Sequence, residues 1–454
     1  MTVVVRPMSG PRSVTKSRDR VAVTEDSAAL EFVERFQEAL RFDHSRGAWF
    51  KFDGATWRRD GTRCALEWAR EIGRELARRI NDERTRAITG RAGFAKGVET
   101  LARVDQRIAV TSECWDHDSF LLGTPGGTVD LRTGNLREPN PADLISKATA
   151  VAPAVRGDCP LWLRFLDDAT DGDASVVAFL QRWAGYCLTA DVREHALLFI
   201  VGDGGNGKSV FLNTLRGVMG TYAVNAAMDA FTAAYGDKHP ADLAALHGAR
   251  LVTASETERG RAWDEVRLKT LTGGDPISAR FMRGNYFNFD PTFKLTFTGN
   301  FKPDLRGVNE AMRRRISIVA FDYKPAKPDA LLEERLRSEW PNILRWAIEG
   351  CREWQAGGLR RPAAVIAASE SYFRDQDVIG RWIDEECVFD PANELMRTPS
   401  CDLWKSWCRY AASNAKAPGR MNDLVSALEK RGAKAFRTST ARGLRGIALR
   451  TCSG

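Results

Sequence analysis

A glycine-rich segment that ends in lysine and serine carries the clearest chemistry in this sequence. It matches the pattern G-x-x-x-x-G-K-[S/T], and its residues are Gly202, Asp203, Gly204, Gly205, Asn206, Gly207, Lys208 and Ser209. An apolar run, HALLFIV, precedes the segment, and a helical pattern, SVFLNTLRGVMG, follows it. Backbone N–H groups at the start of such a helix can surround a phosphate. The order of strand, loop and helix disfavours a turn that matches by chance, so we predict a site for ATP.

Specific roles follow for the polar side chains of this site. We expect Lys208 to contact the β- and γ-phosphates and the Ser209 hydroxyl to bind Mg²⁺. The apolar run ARLVTAS ends at Glu256, and Glu258 follows two residues later. One carboxylate would hold Mg²⁺ through water, and the other would orient or deprotonate the attacking water. Which glutamate takes which role stays open, and either can instead be a solvated surface acid.

Asn300 and three adjacent arginines are further candidates for this chemistry. Asn300 ends the run FKLTFTGN, which predicts a polar amide at the carboxyl edge of the sheet, beside the γ-phosphate. The alternative is an ordinary turn residue. Arg313, Arg314 and Arg315 precede another apolar run, and one of them can act as an arginine finger on the γ-phosphate of a neighbouring subunit. That role requires an oligomer, and the alternative is a solvated edge.

The segment between these motifs predicts a β-hairpin. The runs ISARFM and YFNFD flank Arg283, Gly284 and Asn285, which are suited to a turn.

Charge is concentrated at the two ends of the chain. The 454 residues carry a net charge of +8, with a net +4 in residues 1–20, +8 in residues 401–454 and −4 between them. The carboxy-terminal cluster favours nucleic-acid binding, since neutralising phosphates releases counterions. A solvated helical face is the alternative.

Cysteine usage and hydropathy bound the location of the protein. The nine cysteines include no C-x-x-C pair, which favours a reducing compartment without a zinc site. We find no signal peptide and no apolar run long enough to span a membrane. We therefore expect a cytoplasmic protein with no membrane partner.

The pattern along the chain predicts an α/β protein of several domains. A basic, Pro- and Ser-rich tail at 1–27 is expected to be disordered. We predict an α+β domain at 28–155, a helical segment at 156–190, an ATPase domain at 191–358 and a mainly helical, winged-helix-like basic DNA-binding domain at 359–454. Within the ATPase, apolar runs that alternate with helices indicate a mainly parallel sheet covered on both faces.

Taken together, the motifs resemble those of superfamily 3 helicases of the phage and plasmid type, related to the poxvirus nucleoside triphosphatase and often found beside primases. The segments that carry the resemblance are GDGGNGKS, LVTASETE, LKTLTGGDPISAR, LTFTGNFKP and MRRRISIVAFD, in that order within residues 202–322. The segment LLGTPGGTVDLRTGNLREPNPADLISK also resembles the domain before the ATPase in this group.

The resemblance implies an AAA+-like hexameric ring that hydrolyses ATP with Mg²⁺ and moves on single-stranded DNA, typically 3′ to 5′. By position, it makes Glu256 and Glu258 the acidic motif and Asn300 the sensor. The finger corresponds to Arg314 or Arg315, with Arg313 as a third choice. The hairpin would line the pore and grip the DNA backbone through Lys269, Arg280, Arg283 and Asn285.

We therefore predict an ATP-dependent DNA helicase that acts in phage or mobile-element replication in a bacterial host cell. Its expected partners are single-stranded and forked DNA, further copies of the chain and other replication proteins. Relatives often carry a primase, whose chemistry needs clustered acids. The isolated pairs Asp116/Asp118 and Asp171/Asp173 do not supply these, so we predict no primer synthesis. The alternatives are a primase-helicase with an unrecognised centre and an initiator or packaging ATPase that does not unwind DNA.

Overall fold

The computed structural model describes residues 23–233, 241–256, 261–281, 284–305, 310–414, 416–438 and 441–450. Arg283 and Glu258, two of the predicted site residues, lie outside this part, as does the predicted tail up to residue 22. By compactness the chain divides into two units, one ending at His117 and the other beginning at Asp118.

The first unit packs helices on one face of a four-stranded sheet. Its elements are α1 (Glu25–Phe36), β1 (Leu40–Asp43), β2 (Ala48–Phe52), β3 (Trp57–Arg59), α2 (Cys64–Arg79), α3 (Glu83–Thr89), α4 (Ala92–Ala102) and β4 (Ala109–Val110), with strand order β3-β2-β1-β4. Phe32 and Val98 of the helices meet Phe42 and Trp49 of the sheet in one core. Trp115 covers the other face, where its ring lies 4.5 Å from that of Phe50.

The second unit is built on a parallel sheet. The elements up to the end of that region are β5 (Leu121–Thr124), β6 (Gly127–Asp130), β7 (Asn135–Arg137), α5 (Pro160–Ala169), α6 (Ala174–Leu188), β8 (Leu197–Val201), α7 (Lys208–Met219), β9 (Ala223–Asn225), α8 (Ala241–Ala244), β10 (Leu251–Glu256), α9 (Glu265–Gly273), β11 (Ile277–Arg280), β12 (Tyr286–Phe289), β13 (Lys294–Gly299), α10 (Glu310–Arg315), β14 (Ile316–Ala320), α11 (Leu332–Leu336) and α12 (Trp340–Gly357).

Five parallel strands form the central sheet in the order β14-β8-β13-β10-β9. Side chains of β8 alternate between two cores, with Leu198 and Ile200 on one face and Leu197 and Phe199 on the other. This confirms the predicted α/β class and the predicted sheet covered on both faces. The strands appear in the sequence as apolar runs because a strand buried on both sides must be apolar throughout. Four of the strands coincide with the predicted apolar runs. The fifth, β9, is only three residues long and is partly exposed, so hydropathy does not identify it.

Helices α6 and α12 cross in close contact over one face of this sheet. A Cβ atom on Gly185 would lie 2.0 Å from the Cys351 nitrogen, and one on Gly350 would lie 2.2 Å from the Gln181 oxygen. Only glycine allows backbones to approach so closely. The helical segment before the sheet is therefore part of its covering layer.

The segment that contains β5, β6 and β7 packs with the second unit. The Tyr222 hydroxyl accepts a hydrogen bond from the Gly123 N–H at 2.9 Å, and Leu122 and Val129 share a core with Phe211 of α7. We predicted that the amino-terminal domain ends at residue 155, whereas the compact units divide after His117. Short β-strands rich in turn residues do not reveal which neighbour they pack against.

The carboxy-terminal region combines helices with two small sheets. Its elements are α13 (Ala363–Gln376), α14 (Val378–Glu386), β15 (Cys387–Phe389), β16 (Arg397–Pro399), α15 (Ser400–Ser413), α16 (Met421–Lys430), β17 (Lys434–Arg437), β18 (Arg442–Arg445) and β19 (Ile447–Leu449). Strands pair in the order β16-β18-β17 and as β15-β19. Trp382, Trp407, Leu428 and Leu444 share one core. Tyr372 and Phe373 of α13 instead pack against the parallel sheet, so this core begins at α14.

Within the described residues, no helix has both the length and the apolar composition needed to cross a membrane.

Candidate functional site

The glycine-rich segment forms a tight loop between β8 and α7, which we call the phosphate loop (residues 202–209). Gly205 and Gly207 both adopt φ +84°, a left-handed conformation that favours glycine. A Cβ atom on Gly202 would lie 2.2 Å from the Phe321 carbonyl oxygen, and one on Gly207 would lie 2.5 Å from the Phe165 ring. Glycine is thus required both by conformation and by space. Helix α7 begins at Lys208, within the loop, and the first N–H groups of a helix have no partner inside the helix.

Lys208 lies inside this loop rather than on its surface. Its side chain is only 8% exposed, and Nζ donates to the Gly202 oxygen at 2.6 Å, the Asp203 oxygen at 3.2 Å and Asn206 Oδ1 at 2.8 Å. Burial lowers the pKa of Lys208, an effect that the charge of Asp203 opposes. Among the described residues Lys208 forms no ion pair within 4.0 Å, so the loop holds a buried positive charge that a phosphate group can neutralise.

The segment that follows β14 is anchored to the phosphate loop. The Asn206 amide donates to the Phe321 oxygen, and the Phe321 N–H donates to the Val201 oxygen at 2.8 Å. The chain then continues to Lys324, whose Cε lies 3.5 Å from the position of a Cβ on Gly205. Lys324 is exposed and adds a second cation beside the loop. Sequence reasoning missed it, because no motif marks a lysine that only the fold brings there.

Two other predicted residues end neighbouring strands at the same edge of the sheet. In the parallel register Val201 pairs with Gly299, which pairs with Glu256. Asn300 follows Gly299 and is exposed. Strands lie about 4.8 Å apart, so the Glu256 backbone is about 10 Å from the end of β8. Backbone positions of the loop, Asn300 and Glu256 therefore share the carboxyl edge of the sheet.

The three arginines lie at the opposite edge. Arg315 ends α10, and the next residue, Ile316, pairs with Leu197 at the start of β8. Five residues of β8 span about 16 Å, which separates the arginines from the phosphate loop of the same chain. None of them can serve its own loop, so an arginine finger from this group would have to act on another copy of the chain.

The contacts of the three arginines differ. Arg315 Nε donates to Thr272 Oγ1 at 3.1 Å, and burial together with the charge of Arg314 lowers its pKa. The Arg313 guanidinium lies 5.5 Å from the centroid of the Phe373 ring. Arg314 is exposed, and its guanidinium has no hydrogen bond or ion pair to any other described residue. Arg314 is therefore the arginine best placed to reach a second molecule.

The predicted hairpin is confirmed and also lies at the amino edge. Strands β11 and β12 pair antiparallel with Arg280 opposite Tyr286, and residues 290–293 lead from β12 into the start of β13. Asn285 is exposed beside the turn, and Arg280 is half-buried. Lys269 is half-buried in α9. Arg280 and Asn285, the predicted DNA contacts that the structure describes on the hairpin, thus lie away from the phosphate loop.

Two regions of the chain match models of protein families. Residues 29–171 match a model described as D5 N terminal like, and residues 200–315 match a family of unknown function, DUF5906. The chain is 24% identical over 300 residues to a putative helicase (L207/L206) of Acanthamoeba polyphaga mimivirus, which covers 60% of this chain and 31% of that protein. It is 22% identical over 282 residues to the putative helicase 022R of Frog virus 3, covering 57% and 29%.

The aligned part of the chain spans less than a third of each of these viral proteins. Among solved structures, the apo C-terminal region of NrS-1 matches with a TM-score of 0.47 and 9% identity, covering 94% of this chain and 100% of that chain. A second apo structure of the same region matches with a TM-score of 0.47 and 11% identity, at the same coverage.

Proposed function

We propose that this D5-like chain is an ATP-dependent DNA helicase that acts in DNA replication. The observation that carries the proposal is the buried Lys208 in a glycine-constrained loop at the start of a helix. The loop leaves β8, which lies between β13 and β14. The connection from β8 leads to β9 at one edge of the sheet, whereas the connection from β13 leads to β14 at the other edge. Ligands of open α/β sheets bind at such a point. The similarity to viral putative helicases supports the same conclusion.

The side chains around the loop suit ATP. Lys208 would move from the loop carbonyls to the β- and γ-phosphates, and α7 would present its N–H groups to them. When bound with ATP, Mg²⁺ would supply positive charge to the phosphate oxygens, and Ser209 and Glu256 would hold it. Glu256 or Glu258 would orient the attacking water, with Asn300 as the amide beside the γ-phosphate.

The position of the arginines supports a ring of several subunits. A finger at the amino edge cannot reach the loop at the carboxyl edge of its own sheet, but it can reach that of a neighbour in a head-to-tail assembly. We propose a closed hexamer of the AAA+-like, superfamily 3 type, in which Arg314 completes the neighbouring site.

Two surfaces are suited to DNA. The first is the hairpin with Arg280 and Asn285, together with Lys269; Arg283, which lies outside the described residues, stays a predicted contact from sequence. The second is the β16-β18-β17 sheet, where Arg437 lies directly opposite Arg442 and both are exposed. Like charges placed opposite each other destabilise a sheet unless a polyanion neutralises them. We propose that this sheet binds DNA and that the hairpin contacts the strand on which the motor moves.

A strand-displacement assay tests the proposed function. Forked DNA with only a 3′ tail or only a 5′ tail is incubated with the full chain and either ATP or a non-hydrolysable analogue. We expect displacement with ATP alone and with the 3′ tail preferred. ATP hydrolysis without displacement of either fork would favour a non-unwinding initiator or packaging ATPase, and templated primer synthesis in the same preparation would favour a primase-helicase.

The carboxy-terminal sheet gives a separate prediction about salt dependence. In the variant Arg437→Gln/Arg442→Gln we expect weaker DNA binding and a shallower dependence of log affinity on log salt, by about 1 to 2 in slope, because each lost phosphate contact removes about 0.7 to 0.9. Fluorescence anisotropy over a salt series measures this. The control Arg409→Gln removes an arginine that pairs with Glu386 at 3.1 Å. An unchanged slope in the double variant would mean that this basic cluster is a solvated surface that does not contact DNA.

A further inference from the structure

Two large aromatic side chains are exposed at the free end of the hairpin. Phe281, which follows β11, is 54% exposed, and Tyr286, the first residue of β12, is 63% exposed, although the other end of each strand is buried. A single exposed apolar residue is ordinary on a protein surface, so the case for a ligand rests on the contacts and the charge around these two side chains. Neither residue belongs to the predicted DNA contacts, which were all polar or charged.

Stacking fixes the orientation of Phe281. Its ring lies 5.0 Å from that of Phe287 at an angle of 14°, and Phe287 lies 5.8 Å from Phe289 at 30°. Phe289 is 7% exposed and belongs to the core of the parallel sheet. Phe281 is therefore the outer member of a stack that reaches from the core to the hairpin end. An aromatic ring held in this way loses little conformational entropy when it binds a ligand.

The opposite face of the hairpin presents Tyr286 together with a cation. The Arg280 guanidinium lies 5.1 Å from the centroid of the Tyr286 ring and pairs with it across the two strands. One face of the ring is thus covered by the guanidinium, while much of the side chain stays exposed to solvent. A planar group can stack on such a ring and gain from the adjacent positive charge.

Charge at the hairpin end favours an anionic polymer as the ligand. Residues 280–286, RFMRGNY, contain two arginines and no acidic residue. An apolar partner protein would not need these charges, whereas single-stranded nucleic acid combines phosphates with planar bases. Proteins that hold single strands without sequence preference use this combination of basic and aromatic side chains.

We propose that Tyr286 and Phe281 stack on bases of single-stranded DNA, so that the hairpin grips bases as well as the phosphate backbone. The inference rests on the proposed function and deepens it, because it specifies how the motor holds its strand. Grip through base faces tolerates any sequence, since every base has a π-face.

The test compares a dT oligonucleotide with an abasic oligonucleotide of equal length, using fluorescence anisotropy and the full chain. We expect the wild type to bind dT on the order of tenfold more tightly than the abasic strand. Tyr286→Ala should lose most of this difference while its salt dependence stays unchanged, because no phosphate contact is removed. Tyr286→Trp should retain the difference. Phe281→Ala tests the second ring independently.

Several outcomes would overturn the proposal. The first is a wild-type protein that binds the dT and abasic strands equally. The second is a Tyr286→Ala variant that discriminates between the strands as the wild type does. The third is a variant whose hexamer dissociates in the presence of ATP, which would assign the aromatic side chains to contacts between subunits. Sedimentation checks the last outcome. The control Leu331→Ala removes an exposed apolar side chain in α11's N-cap and should bind as the wild type. A wild type that binds neither strand would instead contradict the proposed helicase function.

Discussion

Replacing Lys208 with alanine is expected to lower ATP hydrolysis by a thousandfold or more while the protein remains folded. Lys208 contributes the buried positive charge of the phosphate loop, held by three acceptors of the loop itself. Electrostatic groups placed against developing charge contribute on the order of 10²- to 10³-fold each, and a phosphate-binding lysine also positions its substrate. The alanine variant keeps the loop glycines, so the fold of the loop should persist.

Phosphate release measured with and without single-stranded DNA checks this prediction, and thermal unfolding checks the fold. The control Lys96→Ala removes an exposed lysine from α4 in the other unit and should hydrolyse ATP normally. Hydrolysis within tenfold of the wild type in a folded Lys208→Ala protein would contradict the assignment of the phosphate loop as the catalytic site.

Replacing Arg314 with alanine should give a protein that binds ATP normally but hydrolyses it on the order of a thousandfold more slowly. An arginine finger contributes about 10³- to 10⁵-fold in rate. Arg314 lies across the sheet from its own phosphate loop, so its loss leaves that loop intact. Nucleotide binding measured by a fluorescent analogue should therefore be unchanged, in contrast to phosphate release.

Mixing two inactive variants distinguishes action between subunits from action within one. Lys208→Ala supplies an intact arginine, and Arg314→Ala supplies an intact loop. Random mixing of equal amounts in a head-to-tail ring should restore about a quarter of the interfaces. Each active interface needs an intact loop from one subunit and an intact Arg314 from its neighbour, and each is present half of the time. No recovery after subunit exchange would exclude Arg314 as a finger that acts between subunits.

The neighbouring arginines provide matched controls. Arg313→Ala should retain hydrolysis. Arg315→Ala should mainly lower the free energy of unfolding, because it removes the hydrogen bonds to Thr272 and to the Ala311 oxygen. Normal ATP hydrolysis in Arg314→Ala together with loss of hydrolysis in Arg313→Ala would assign the finger to Arg313 instead.

Local features of the chain were predictable from sequence because their causes are local. The phosphate loop follows from glycine spacing between an apolar strand and a helix. The hairpin follows from its turn residues, and four of the five parallel strands follow from apolar runs buried on both faces. Strands β9, β15 and β16 were missed, since three-residue strands with exposed positions carry little hydrophobic pattern.

By itself, the sequence determined the α/β class, the glycine-rich loop between β8 and α7, and the hairpin between the motifs. Only the tertiary structure decided that residues 118–155 pack with the second unit, that Lys324 lies beside the phosphate loop and that the arginines lie at the opposite edge of the sheet. It also distinguished the three arginines by their contacts, because Arg313 packs against Phe373 and Arg315 bonds to Thr272, whereas the Arg314 guanidinium has no hydrogen bond or ion pair to any other described residue. Each of these depends on contacts between segments far apart in the chain, and a residue pattern along the chain does not specify which distant surfaces meet.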